Sequence, residues 1–117
     1  MNCQSGTFRF VFLAAFALGR ASADESVAFF ENRIRPIFVE HCYQCHSAEA
    51  KVVKGALKLD TREDFLKGGS DGVVVVAGDP DKSAQIKAVR YDDEDLQMAP
   101  NKNGGENLPD AAIADLA

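Results

Sequence analysis

Cysteine, histidine and positive charge are scarce in this chain, and each shortage closes off a class of function. Of three cysteines in 117 residues, Cys3 lies in the opening stretch, and only Cys42 and Cys45 follow; the two histidines are His41 and His46. A structural zinc site draws on four ligands, usually a second Cys-x-x-Cys or a histidine pair, and the chain lacks them. Lysine and arginine number 13 against 18 aspartate and glutamate, a formal charge of −5. No basic stripe is there to neutralise phosphates, which excludes nucleic acid as a partner. The apolar run Phe10 to Leu18 falls well short of the roughly 20 residues a membrane-crossing helix needs. There is no internal repeat. No acid/base pair or activated nucleophile can be assembled from the motifs, so no catalytic residue is assigned and the chain is not read as an enzyme.

What is present begins with an address. A short stretch carrying Arg9, the apolar run FVFLAAFAL and the small residues Ala21-Ser22-Ala23 follow the layout of a secretory signal peptide. The expectation is a leader over 1–23, cleaved after Ala23, and a single domain over 24–117. The protein is then exported to the periplasm or cell envelope, with no stable membrane insertion after cleavage. Losing 23 of 117 residues leaves 94. Arg9 and Arg20 leave with the leader while all 18 acidic residues stay, so the charge moves from −5 to −7. Such a surface favours a partner with a basic docking face. A domain this small usually needs a staple, metal or cofactor beside its core. A Cys42–Cys45 disulfide would close a tiny loop and stabilise little.

Val27, Phe30, Ile34, Ile37, Phe38 and Cys42 recur at helical spacing, which predicts an amphipathic helix capped by Asp24 or Ser26. Pro36 predicts a kink or break in it. Gly55 to Asp60 alternates like a short strand. Thr61 opens a second helix, which Gly68-Gly69 ends. Val73 to Val76 is an apolar run of undecided conformation. Asp79-Pro80 starts a third helix running to about Arg90 and burying Ile86 and Val89. Asp92 to Asp95 is an acidic run, Asn101 to Asn107 a polar loop. Leu108-Pro109-Asp110 opens a last helix with Ile113 and Leu116 on one face.

Cys42-Tyr43-Gln44-Cys45-His46 is Cys-x-x-Cys-His, the haem-attachment signature. Two cysteines three positions apart on a helical turn suit thioether bonds to the two vinyl groups of one porphyrin. The next residue, a histidine, then supplies an imidazole to the iron. A thioredoxin-like pair would sit between a strand and a helix, whereas an amphipathic helix precedes this one. Met98 lies 52 residues beyond His46 and is the methionine left after the leader. It is a candidate sixth ligand, with core filler or an open iron position as the alternatives. His41 adjoins Cys42, cannot swing to the opposite haem face and is read as a surface residue. Tyr43 and Gln44 are expected near the haem edge, and the acidic run as a solvated loop.

Further residues carry a resemblance. Phe29-Phe30-Glu31, Ile34-Arg35-Pro36-Ile37, Glu40, Cys42 and Cys45-His46-Ser47 come first. Lys54-Gly55-Ala56-Leu57-Lys58-Leu59-Asp60-Thr61-Arg62-Glu63, Leu66-Lys67-Gly68-Gly69, Gly78-Asp79-Pro80 and Lys82-Ser83 follow. Together they resemble the planctomycete-type cytochrome c domain over nearly all of 27–116. The resemblance implies a mainly α fold, a cytochrome c-like small helical domain around one covalent haem c, with a short β-hairpin-like insertion after the attachment motif. It implies that Cys42 and Cys45 hold the haem, with His46 proximal and Met98 distal. It also implies a place at the N-terminus of a larger exported protein. The family has Met-Pro-Pro where this chain has Met98-Ala99-Pro100. Its closing helix runs on through an aromatic residue and a glycine, so the helix ending at Ala117 is expected to be truncated.

Three functions follow as expectations. The first is electron transfer through an iron held by His46 and Met98. The second is a haem-based small-ligand sensor or peroxidase-like domain with an open or labile sixth position. The third is a haem-free exported module in which Cys42 and Cys45 pair.

Overall fold

The computed structural model describes residues 21–98 and 107–117. Most of the expected leader (1–20), Ala99-Pro100 and residues 101–106 of the polar loop lie outside the described residues.

The chain is helical from Ala21 to His41 in three joined pieces: α1 (Ala21–Phe29), a π-helical turn (Phe30–Ile34) and α2 (Arg35–His41). The helix starts ahead of both expected caps, and Asp24 lies in its first turn, where its charge complements the helix dipole. Pro36 does not break it. Proline has no amide to return to Asn32 and its ring crowds that carbonyl. The helix widens one turn earlier instead, with the Arg35 amide donating to the Phe30 carbonyl five residues back, a common way of absorbing such a misfit. The wider turn also sets the apolar face. Phe30, Ile34, Phe38 and Cys42 are four apart, a spacing that drifts round a 3.6-residue helix; the extra residue in the π turn takes up the drift. Glu31 spans the turn with a two-pronged ion pair to Arg35 (2.6 and 2.7 Å).

Phe38 is the centre of the core at 2 % exposure, with Ile34 and Leu59 beside it. Its ring meets Phe65 at 5.9 Å, Tyr43 at 6.2 Å and Phe30 edge-on at 6.4 Å. Leu57, Cys42 and Leu116 complete the shell.

The second helix is where the sequence puts it. In α3 (Arg62–Lys67) the Thr61 hydroxyl accepts the Asp64 amide, and Gly68 at φ 80° ends the helix. The third is shorter than expected, because Pro80–Lys82 forms a separate 3₁₀ turn and α4 runs only over Ala84–Arg90. Ser83 makes the break. Its buried hydroxyl accepts the Val76 amide (2.9 Å) and lies 2.9 Å from the Asp79 carbonyl, holding Ser83 extended at ψ 115°. Ile86 and Val89 are buried as expected.

No strand ladder forms among the described residues. Their single bridge joins Gly69 to Gly72, Val73 and Val76 are exposed, and Gly55 to Asp60 is a 3₁₀ turn (Lys54–Ala56) leading into an extended stretch. Beyond the Gly69–Gly72 bridge no β-hairpin is shown among the described residues, and 55–60 is a strap whose amides and carbonyls bond elsewhere. The last helix, α5 (Asp110–Leu116), packs on the π turn and on α4. Arg33 reaches Asp115 with two hydrogen bonds of 3.0 Å. The result is a mainly helical small domain.

Candidate functional site

The helix that begins at Ala21 delivers its end to one further turn. Cys42 caps α2, and its amide and that of Tyr43 both donate to the Phe38 carbonyl (2.9 Å each). The Cys42 carbonyl then accepts the amides of Cys45 (3.1 Å) and His46 (2.9 Å). Residues three and four apart on a helical turn share a face, so the two sulfurs and the imidazole rise from one turn. Ser47 locks it by donating to the Tyr43 carbonyl at 2.7 Å.

Both thiols are free and half-buried. Burial pushes the Cys42 thiol up to about 11, the opposite of the depressed thiol that a disulfide oxidoreductase uses. His46 is 9 % exposed, and its Nδ1 lies 3.2 Å from the Leu57 carbonyl. A carbonyl only accepts, so Nδ1 carries the proton and Nε2 keeps its lone pair for a metal. A ring nitrogen tied to a backbone carbonyl is the usual support of a metal-binding histidine.

The strap supplies that support. Lys54 donates its amide to the Cys45 carbonyl (3.1 Å), and Leu59 donates to the His46 carbonyl (2.9 Å). The Ala48 amide donates to Asp60 Oδ2 at 2.9 Å. On its other side the strap is moored by the Ser70 amide on the Gly55 carbonyl, 2.7 Å. Sequence reasoning missed Leu57 and Asp60. The alternation in Gly55 to Asp60 was the available signal, but it indicates a strand and not which backbone the stretch serves.

Met98 lies beside the end of α4. Its amide donates to the Ala88 carbonyl near the end of α4 (3.1 Å), and the residue is 36 % exposed. His41 is at the surface, with Nε2 3.8 Å from Glu40. Tyr43 packs on Phe38, and burial raises its phenol. Asp92 to Asp95 is largely exposed, with the Asp95 amide on Asp93. Two clefts, of about 470 and 230 Å³, share Phe30, Phe38 and Phe65 as walls; Cys42, Cys45 and His46 line neither. No cluster of three acidic, histidine or cysteine side chains suited to a bare ion occurs among the described residues.

The family model described as planctomycete cytochrome C matches residues 42–102, from the first thiol to just beyond Met98. The match spans more than half of the chain. The chain belongs to the planctomycete cytochrome C family. Membership in planctomycete cytochrome C implies a covalent haem c, and the donor set fits one: two unbridged thiols three residues apart and, next to them, an imidazole whose Nε2 is left free by the Leu57 bond. No curated protein and no solved structure matches this planctomycete cytochrome C chain.

Proposed function

We propose that this planctomycete cytochrome C domain is an exported electron-transfer module, and not an enzyme in its own right. Cys42 and Cys45 would hold one haem by thioether bonds, and His46 and Met98 would ligate its iron. The observation that carries this is the Nδ1 bond from His46 to Leu57, which frees Nε2 beside two unbridged thiols. Bound haem supplies a one-electron couple between ferrous and ferric iron. The residues do the rest. Cys42 and Cys45 would fix the macrocycle to the end of α2, and the Leu57 carbonyl orients the His46 ring. Met98 offers a thioether, which prefers reduced iron and lifts the potential.

The leader-like 1–23 supports export, and no helix among the described residues is long and apolar enough to cross a membrane. The acidic surface suits a redox partner with a basic docking face and no nucleic acid. The family resemblance supports a position at the N-terminus of a larger protein.

One observation favours a second reading. Met98 is exposed to 36 %, and alanine follows it where the family pattern has proline. A labile sixth position of that kind suits a haem-based small-ligand sensor or a peroxidase-like site. Carbon monoxide added to the reduced protein at neutral pH separates the two. Electron transfer predicts little or no rapid binding, and fast spectral conversion sinks it in favour of the open site.

A further inference from the structure

The strap that serves His46 ends on a carboxylate that makes poor sense as a purely structural group. Asp60 Oδ2 accepts the Ala48 amide at 2.9 Å, but Oδ1 is closed off from solvent and has no hydrogen-bond partner among the described residues. Leaving a charged oxygen buried and unpaired costs stability. Such a group in a native fold calls for an explanation outside packing. No neighbour hydrogen-bonds Oδ1: Lys58 pairs with Asp64 at 2.9 Å and feels Asp60 only through space, and Thr61 is occupied in capping α3.

The placement offers one. Asp60 holds the amide two residues after His46, while Leu59 holds the His46 carbonyl and Leu57 the His46 ring. The three residues Leu57, Leu59 and Asp60 thus grip three consecutive features of the ligand-bearing turn. Loss of the Ala48 clamp loosens the strap that carries the Leu57 carbonyl. A carboxylate with one oxygen sealed from water acts over short distances more strongly than a fully solvated one. A negative charge beside the ligand turn stabilises ferric over ferrous iron and lowers the potential.

We propose that Asp60 is a positioning residue for the iron ligand: it keeps the Leu57 carbonyl on His46 Nδ1 and sets a half-buried negative charge against the reduced state. This role rests on the haem reading proposed above.

The test uses the haem-loaded protein made in a host with attachment machinery, at pH 7. Asp60→Asn keeps an acceptor for Ala48 but no charge; Asp60→Ala keeps neither. Two quantities are read: the midpoint potential, and hydrogen exchange of the His46 ring Nδ1–H in the reduced protein. The potential is expected to rise in both variants. Ring exchange is expected to stay at the wild-type rate in Asp60→Asn and to quicken about tenfold or more in Asp60→Ala, as for the loss of one charge-assisted hydrogen bond. Should Asp60→Ala not accumulate, Asp60→Glu replaces it, with its carboxylate one methylene out of register and the same faster exchange expected. An unchanged potential in Asp60→Asn overturns the proposal, and so does wild-type ring exchange in the displaced or truncated variant. Wild-type protein without covalent haem overturns the proposed function and this inference together, so the two failures are told apart.

Discussion

Cys42 ends α2 with its sulfur packed against the Phe38 core, and burial lifts its thiol from 9.0 to about 11. The folded chain without haem therefore binds this proton more tightly than the unfolded chain does. The neutral thiol's contribution is complete below about pH 9 and is lost as the pH rises through 11. A rise of that size corresponds to about 2–3 kcal/mol. Urea unfolding of the haem-free chain at pH 8 and pH 11 is expected to show a drop of that order, reduced by it in Cys42→Ala. Tyr43, also raised by burial, is present in both chains, so the comparison with Cys42→Ala isolates the thiol. A thioether has no proton to lose, and the haem-loaded protein is expected to lack this part of the alkaline instability altogether.

At the scale of elements, caps and glycines decide where helices stop. A Cβ on Gly68 would collide with the Gly72 carbonyl and lie 2.8 Å from the Val73 Cα, at φ +80°, whereas one on Gly72 (φ +99°) would meet open space. Gly68→Ala is expected to cost about 2–4 kcal/mol, combining clash with strain, and Gly72→Ala about 1 kcal/mol from strain alone. Thermal unfolding of the two variants measures the difference; equal losses would mean that the Gly68–Val73 turn is not tightly closed. These elements also show how far sequence patterns reach. The Thr61 cap, the stop at Gly68 and the four-residue rhythm of Phe30, Ile34, Phe38 and Cys42 were legible because each is local. The attachment turn was legible for the same reason, being five consecutive residues. The π turn, the Ser83 break and the strap were not, because each depends on which distant amide or carbonyl a backbone group finds. Met98 is the harder case: its ligand role rests on residues meeting across the fold, and spacing along the chain does not report that.

At the scale of the whole molecule, α5 closes on the π turn and α4. Arg33 and Asp115 pair at 2.9 Å, but Arg33 is 57 % exposed, so solvent screening limits the pair to about 1 kcal/mol or less. A double-mutant cycle of Arg33→Ala and Asp115→Ala, followed by urea unfolding, is expected to give a coupling of that size that shrinks with added salt. A coupling several times larger would show that α5 is anchored by charge more than by Leu116 and Ile113. The burial of Cys42 has a consequence for timing. The chain is made from its N-terminus, so the whole attachment turn is finished by His46, while Leu57, Leu59, Phe65 and Leu116, which build the same core that Cys42 packs against, come later. A half-buried sulfur, reluctant to ionise, is a poor target for any enzyme that must present a porphyrin to it. On the haem reading proposed above, attachment is therefore expected in the interval before the domain closes, and a chain that folds first is expected to stay colourless.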